Sequence, residues 1–183
     1  MIHETERLLL RPWLESDAEE LYLYAKDPQV GPIAGWPPHK SVDDSREIIR
    51  TVLSKPETYA IVLKSTSKPI GSIGLMFKGD GFAPIGDTEA ELGFWVGVPH
   101  WGNGYAPEAS RCLFRYGFGQ LNLTAIWCGY YDGNLKSKRA QEKCGFEYQF
   151  TKENSPTPML DELRTMHFNL LTRERWKKMC DKK

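Results

Sequence analysis

The chain has 183 residues, 40% hydrophobic and 12% aromatic, with 24 basic and 24 acidic side chains and a formal net charge of zero. That length suits one domain, 1–183, able to bury on the order of 70% of its unfolded surface, and its apolar and aromatic content excludes whole-chain disorder. Charge balance removes a global attraction to nucleic acid or an anionic membrane, and no apolar run approaches the roughly 18 residues of a spanning helix. Met1–Arg11 holds no signal-peptide core. Four cysteines, at 112, 128, 144 and 180, lack C-x-x-C and zinc spacing. Reduced thiols, a cytoplasmic setting and no metal site are the expectation.

In chain order, Arg7–Trp13 reads as a strand, and Ser16-Asp17-Ala18-Glu19 has the spacing of a capping box that opens a helix to about Lys26. Asp27–Lys40, with four prolines and two glycines, reads as loop. Ser41 caps a second helix with Ser45, Ile48, Ile49, Val52 and Leu53 on one face. Tyr59–Lys64 and Pro69–Phe77 read as strands, and Gly79–Asp87 as loop. In Glu89–Val98, Ala90, Leu92, Phe94 and Val96 alternate with Glu89, Glu91, Gly93 and Trp95, which puts both carboxylates on the face opposite the apolar one. A helix from about Ala106 to Phe118 buries Ala109, Cys112, Leu113 and Tyr116 and turns Glu108, Arg111 and Arg115 outward. Ala125–Tyr131 suits a strand covered on both faces. Asn134 caps a short helix ended by Gly145, Phe146–Phe150 and Met166–Leu170 are strands, and Thr172 caps a last helix to about Cys180. The order predicts one mixed α/β domain around a sheet of about seven strands.

The segment Trp101-Gly102-Asn103-Gly104-Tyr105-Ala106 joins a strand to a helix, where exposed amides and the helix dipole favour an anion. A dinucleotide fingerprint fails because its third glycine is Pro107 and no acid lies near position 124; a Walker A loop fails because Asn103 stands where lysine belongs. A pyrophosphate loop needing Gly104 and a small residue at Ala106 remains, beside a plain strand–turn–helix junction that would look the same.

Four stretches together raise the pyrophosphate-loop reading. Thr5–Arg11, Glu91–Trp95, Trp101–Ala109, and Asn134–Ser137 followed by Glu142–Phe146 resemble the GNAT superfamily of acyl-CoA-dependent N-acetyltransferases, in particular its ribosomal-protein N-terminal acetyltransferase branch. The resemblance spans roughly residues 5–170 and implies a mostly antiparallel mixed sheet, acetyl-CoA as co-substrate and a primary amine as acceptor. It assigns the cofactor-binding positions to Trp101, Gly102, Asn103, Gly104, Tyr105, Ala106 and Asn134. Glu91 matches the carboxylate that takes the amine's proton, with Glu89 as its understudy, and Ser137 matches the donor to the leaving thiolate. Two departures stand out: Trp101 replaces the superfamily's frequent Gln or Arg, and Pro107 lacks an amide that Asn103 could replace.

Each residue also has an ordinary reading. Asn134 is a good helix cap on propensity alone, Ser137 and Glu91 could be solvated, and Cys144 before Gly-Phe reads as core. Lys136, Lys138, Arg139 and Lys143 suit a 3′-phosphate or simply a wet helix face. Trp36, among prolines, suits a rigid wall of an acceptor site. Two rivals to an enzyme stay open: a coenzyme A sensor of the same fold, and an unrelated α/β domain binding another phosphorylated ligand. The acceptor, a peptide N-terminus or a small-molecule amine, is not specified by these residues, and a homodimer is left open.

Overall fold

A computed structural model describes residues 1–181. Eight strands form one sheet in the order β1-β2-β3-β4-β5-β6-β8-β7. They are β1 (His3–Glu4), β2 (Leu8–Arg11), β3 (Thr58–Leu63), β4 (Lys68–Met76), β5 (Glu89–Val96), β6 (Ala125–Tyr131), β7 (Glu147–Thr157) and β8 (Glu162–Thr172). Every neighbouring pair is antiparallel except β5 and β6, which run parallel. A parallel pair needs a crossover, supplied by α4 (Tyr105–Gly119). The other helices are α1 (Ala18–Ala25), α2 (Gly31–Ala34), α3 (Val42–Ile48), α5 (Leu135–Lys143) and α6 (Arg173–Cys180).

The strand count exceeds the expected seven by β1, whose two residues are too few for periodicity to register. The first helix is not capped by Ser16. Asp17 reaches back to accept from the Leu14 amide at 2.9 Å and pairs with Arg11 at 2.6 Å, and a short turn at Glu15–Asp17 precedes α1. The second helix leaves α geometry after Ile48, widening into a π-type turn over Ile49–Leu53. The loop 27–40 contains α2, bounded by the helix punctuation of Pro32 near its start and Gly35 after its end at φ +94°. β7 and β8 extend well beyond their apolar cores into a long, mostly exposed hairpin in which Ser155 and Thr157 are buried. The caps at Ser41 and Thr172 stand as expected: their side chains accept from the Asp44 and Arg175 amides at 3.0 and 3.2 Å.

Two apolar layers hold the sheet. On one face α4 packs Leu113 and Phe114, both essentially unexposed, against Ile73, Leu75, Ala90, Leu92 and Ile126. Each such side chain contributes about 1.5–3 kcal/mol relative to exposure. On the other, Leu21 and Ala25 of α1 and Ile49 cover Ala60 and Val62, with Trp13 and Trp95 alongside. The alternation along β5 therefore sorts its residues between two cores, sending Glu89, Glu91 and Trp95 to the face away from α4.

Candidate active site

The parallel pair closes only over Glu89–Glu91 and Ala125–Trp127. Beyond that rung β5 and β6 carry no further mutual pairs, and a cleft of about 380 Å³ opens at their carboxyl ends. Its lining includes Phe94, Trp95 and Val96 of β5, the 101–107 loop, the first turns of α5, and Val30, Ile33 and Ala34 of α2.

The loop is shaped by Gly102 and Gly104, at φ +78° and +79°, conformations costing an L side chain roughly 1–2 kcal/mol. Gly104 is the residue before α4, and it carries no side-chain cap. The amides of Gly102 through Ala106 donate to no protein acceptor among the described residues, so five consecutive donors stand at a helix start beside the cleft. Trp101 does not offer its indole N–H to a ligand: Nε1 donates to the Val96 carbonyl at 2.6 Å, tying the loop to the end of β5. Lys136 Nζ lies 3.5 Å above its ring, a cation–π contact between the two walls. Asn103 is not part of the cleft lining; its Nδ2 donates to the Trp101 carbonyl at 3.1 Å.

A clamp beneath the loop was not legible in the sequence. Glu108, expected to face outward, instead accepts from the Thr5 hydroxyl at 2.6 Å, the Arg7 amide at 2.9 Å and Arg7 Nε at 2.7 Å. Arg7 also donates to the Asn103 carbonyl at 3.1 Å and lies 4.6 Å over the Tyr105 ring. Burial pushes the Glu108 carboxyl up, but the Thr5 and Arg7 donors outweigh it and hold it below its ordinary value. The only sequence signal was their shared membership of the motif stretches.

On the opposite wall Asn134 caps α5, its Oδ1 accepting from the Ser137 amide at 3.1 Å, while Nδ2 reaches the Ile33 carbonyl of α2 at 3.4 Å. Ser137 lines the cleft, and its Oγ accepts from Gln141 at 3.1 Å. Lys136, Arg139 and Lys143 also line it, making this wall basic. Lys138 does not; it lies 3.9 Å from Glu142.

Glu91 sits on the last paired rung, 2% exposed, and outside the cleft lining. Its Oε2 accepts from the Phe82 and Ala83 amides at 2.6 and 2.8 Å. Burial raises its carboxyl, partly offset by those two donors. Glu89 is likewise engaged, accepting from the Gly86 amide at 3.0 Å and the Trp127 indole at 2.9 Å. The loop that the sequence marked only as Gly/Pro-rich thus covers both carboxylates. Cys144 is core, 3% exposed, with burial pushing its thiol up to about 11. Trp36 packs edge-on against Trp95 at 5.8 Å.

The profile of the acetyltransferase (GNAT) domain matches residues 7–147. The chain belongs to the GNAT acetyltransferase family. Membership makes it an acyl-CoA-dependent N-acyltransferase. An N-acetyltransferase of Bacillus licheniformis, p20, itself uncharacterised, is 35% identical over 127 residues, covering 67% of this chain and 68% of that protein. Among solved structures, a GNAT-family acetyltransferase from Bacillus anthracis superposes with a TM-score of 0.82 at 22% identity, over 95% of this chain and 99% of that one. The ribosomal-protein-S5-alanine acetyltransferase from Vibrio fischeri does so at 0.72 and 17% identity, over 96% and 98%. At these identities both show the shared fold. No group of three or more metal-ligating side chains occurs among the described residues, and no helix there is long and apolar enough to cross a membrane.

Proposed function

We propose that this acetyltransferase moves acetyl from acetyl-CoA to a primary amine, a protein N-terminus or a small-molecule amine, by direct attack while both are bound. The observation that carries the reading is the gap between β5 and β6, with a ladder of free amides at one mouth, Ser137 on one wall and Glu91 on the rung where the gap begins. The pyrophosphate of coenzyme A fits the amides of Gly102–Ala106, with Trp101 and Tyr105 as walls. Lys136, Arg139 and Lys143 supply positive charge for its remaining phosphate. Asn134, whose amide is already engaged by α5 and α2, serves this site by fixing the wall on which Ser137 stands. Four unpaired cysteines, three of them buried, fit a reducing, cytosolic setting.

In the reaction the amine nitrogen bonds the acetyl carbon, the carbon–sulfur bond breaks with its electron pair on sulfur, and the nitrogen gives up a proton. Ser137 donates its hydroxyl proton to that sulfur and regains one from solvent. Glu91 receives the nitrogen's proton through water: its Oε2 is held by the covering loop, leaving Oε1 free of protein donors among the described residues. The demand on this base is small for an α-amine, roughly 10–15% neutral at pH 7, and large for a lysine, about 0.04% neutral. Cys144 takes no part, because its thiol is buried and held protonated. Thiol release from acetyl-CoA, measured across a panel of α-amino peptides, polyamines and amino sugars, tests the reading. Binding of acetyl-CoA without turnover of any amine would make the chain a sensor instead.

A further inference from the structure

Gln141 is a polar side chain with 1% exposure, on the inner face of α5 one turn after Ser137. Its burial is tolerable only because its amide is hydrogen-bonded throughout. Nε2 donates to the Gly129 carbonyl at 3.3 Å and to Ser137 Oγ at 3.1 Å, and Oε1 accepts from Asn169 Nδ2 at 2.8 Å. Asn169, on β8, is 4% exposed. The amide's orientation is not ambiguous. A main-chain carbonyl only accepts, so the nitrogen of Gln141 must face Gly129, and the same nitrogen then faces Ser137. Ser137 Oγ therefore always meets a donor on its buried side. Its own hydrogen has no acceptor there and turns toward the cleft.

We propose that Asn169 and Gln141 are positioning residues that aim the Ser137 hydroxyl hydrogen at the sulfur of coenzyme A. The inference rests on the reading of Ser137 as proton donor. Reversing the amide would place Oε1 against Ser137 and draw the hydroxyl hydrogen inward; the Gly129 carbonyl forbids that reversal, and Asn169, donating to Oε1 at 2.8 Å, satisfies the other end of the amide. Gly129 lies two residues past Trp127, where β5 pairing ends, so the relay is anchored to the strand that borders the gap.

The test needs no acceptor amine. Calorimetry with coenzyme A first establishes binding by the wild type, and the thiol of the bound molecule is then titrated by thiolate ultraviolet absorbance, with the protein-alone spectrum subtracted. Ser137→Ala should raise the bound thiol's pKa by about one to two units, the size of one hydrogen bond to a charged group. Gln141→Met, of similar length and flexible enough to fill the site, should raise it by about half as much while coenzyme A affinity stays within about twofold. In the Ser137→Ala background Gln141→Met should add nothing, whereas general loosening of α5 would add to it and weaken binding. Asn169→Ala should shift the pKa in the same direction and serves where Gln141→Met does not fold. A raised pKa in Ser137→Ala beside an unshifted one in Gln141→Met, or in Asn169→Ala in its place, overturns the relay and leaves Ser137 its role. Additive shifts in the double variant also overturn the relay. An unshifted Ser137→Ala overturns both relay and donor. Failure of the wild type to bind coenzyme A overturns the functional reading and this inference with it.

Discussion

Glu108→Ala isolates the clamp that holds the 101–107 loop. The carboxylate is 17% exposed and Arg7 43%, so the guanidinium pair is worth no more than a surface ion pair, about 0.2–1 kcal/mol. The Thr5 hydroxyl and Arg7 amide, at 2.6 and 2.9 Å, are bonds to a charged acceptor and raise the total to about 1.5–3 kcal/mol. For a chain of this size that lowers Tm by roughly 3–12 °C. Glu108→Gln keeps an acceptor for Thr5 and the Arg7 amide and should lose less than about 1 kcal/mol. The sign with pH follows from the lowered carboxyl. The stabilisation is complete above the unfolded value, near 4.3, and is lost as pH falls through the folded one. Scanning calorimetry should therefore show the full gap between wild type and Glu108→Ala at pH 7, and a shrinking gap below about pH 4. Coenzyme A should bind the Ala variant several-fold more weakly, because Arg7 no longer braces Asn103 and Tyr105. Equal melting temperatures at pH 7, or a gap that persists undiminished in acid, would refute the reasoning.

Gly104→Glu should fold with a strain of about 1–2 kcal/mol, since a Cβ there meets nothing nearer than Arg7 Nη2 at 3.7 Å. It should nevertheless lose acetyl-CoA binding by calorimetry, and retained affinity would remove the loop from the site. Glu91→Gln, with an α-amine acceptor, should lower kcat/KM about ten- to a thousand-fold at pH 7, with recovery as the free amine deprotonates itself; a profile parallel to wild type at equal height passes the role to Glu89. Because the Glu91 carboxyl is raised in the fold, wild type loses stability as pH rises from the unfolded carboxyl value, near 4.3, through the raised folded one, so Glu91→Gln should show the flatter dependence of Tm on pH above about 4.3. Cys144→Ala should cost about 1 kcal/mol and keep activity, and intact mass after incubation with acetyl-CoA should show no stoichiometric adduct.

The local features of the proposed donor side were legible because they lie in short contiguous stretches. Gly102 and Gly104 announce a turn with positive φ, Asn134 is a helix cap by residue type, and Ser137 follows at fixed spacing. Period two along β5 placed Glu89 and Glu91 on the correct face. Long-range contacts left no comparable trace. Glu108 bonds to residues about a hundred positions away, and a carboxylate on a predicted outward face gives no sign of it. Gln141 interrupts no pattern, although its position four residues after Ser137 on one helix face was the available clue. The turn of the Asn103 side chain back to the Trp101 carbonyl left no trace in the sequence, because an asparagine in a tight loop is as free to bond its own turn as to face outward.

The same contrast explains why the donor is easier to assign than the acceptor. In a sheet that is otherwise antiparallel, β5 and β6 alone run parallel, so the helices that follow them, α4 and α5, both begin at the same end of the sheet. Two helix starts therefore flank one gap, and topology by itself brings the Gly102–Ala106 amides to face the wall bearing Ser137, as expected where parallel strands end side by side. Any sequence that builds this crossover with glycines at its turn and a cap at Asn134 has assembled the half proposed for the donor. The acceptor half has no such guarantee. On the proposed reading it falls to α2 and the loop through Phe82 and Ala83, segments whose placement over Trp95 and Glu91 depends on individual contacts: Asn134 to Ile33, Arg164 to the Pro32 carbonyl at 2.5 Å, and the two amides on Glu91. Loops of this kind vary without disturbing the sheet. If the proposed site is right, acceptor choice lies in these two covers, and exchanging residues 79–87, which donate to Glu91 and Glu89 and do not line the cleft, should change which amine is acetylated while leaving coenzyme A affinity where the crossover sets it.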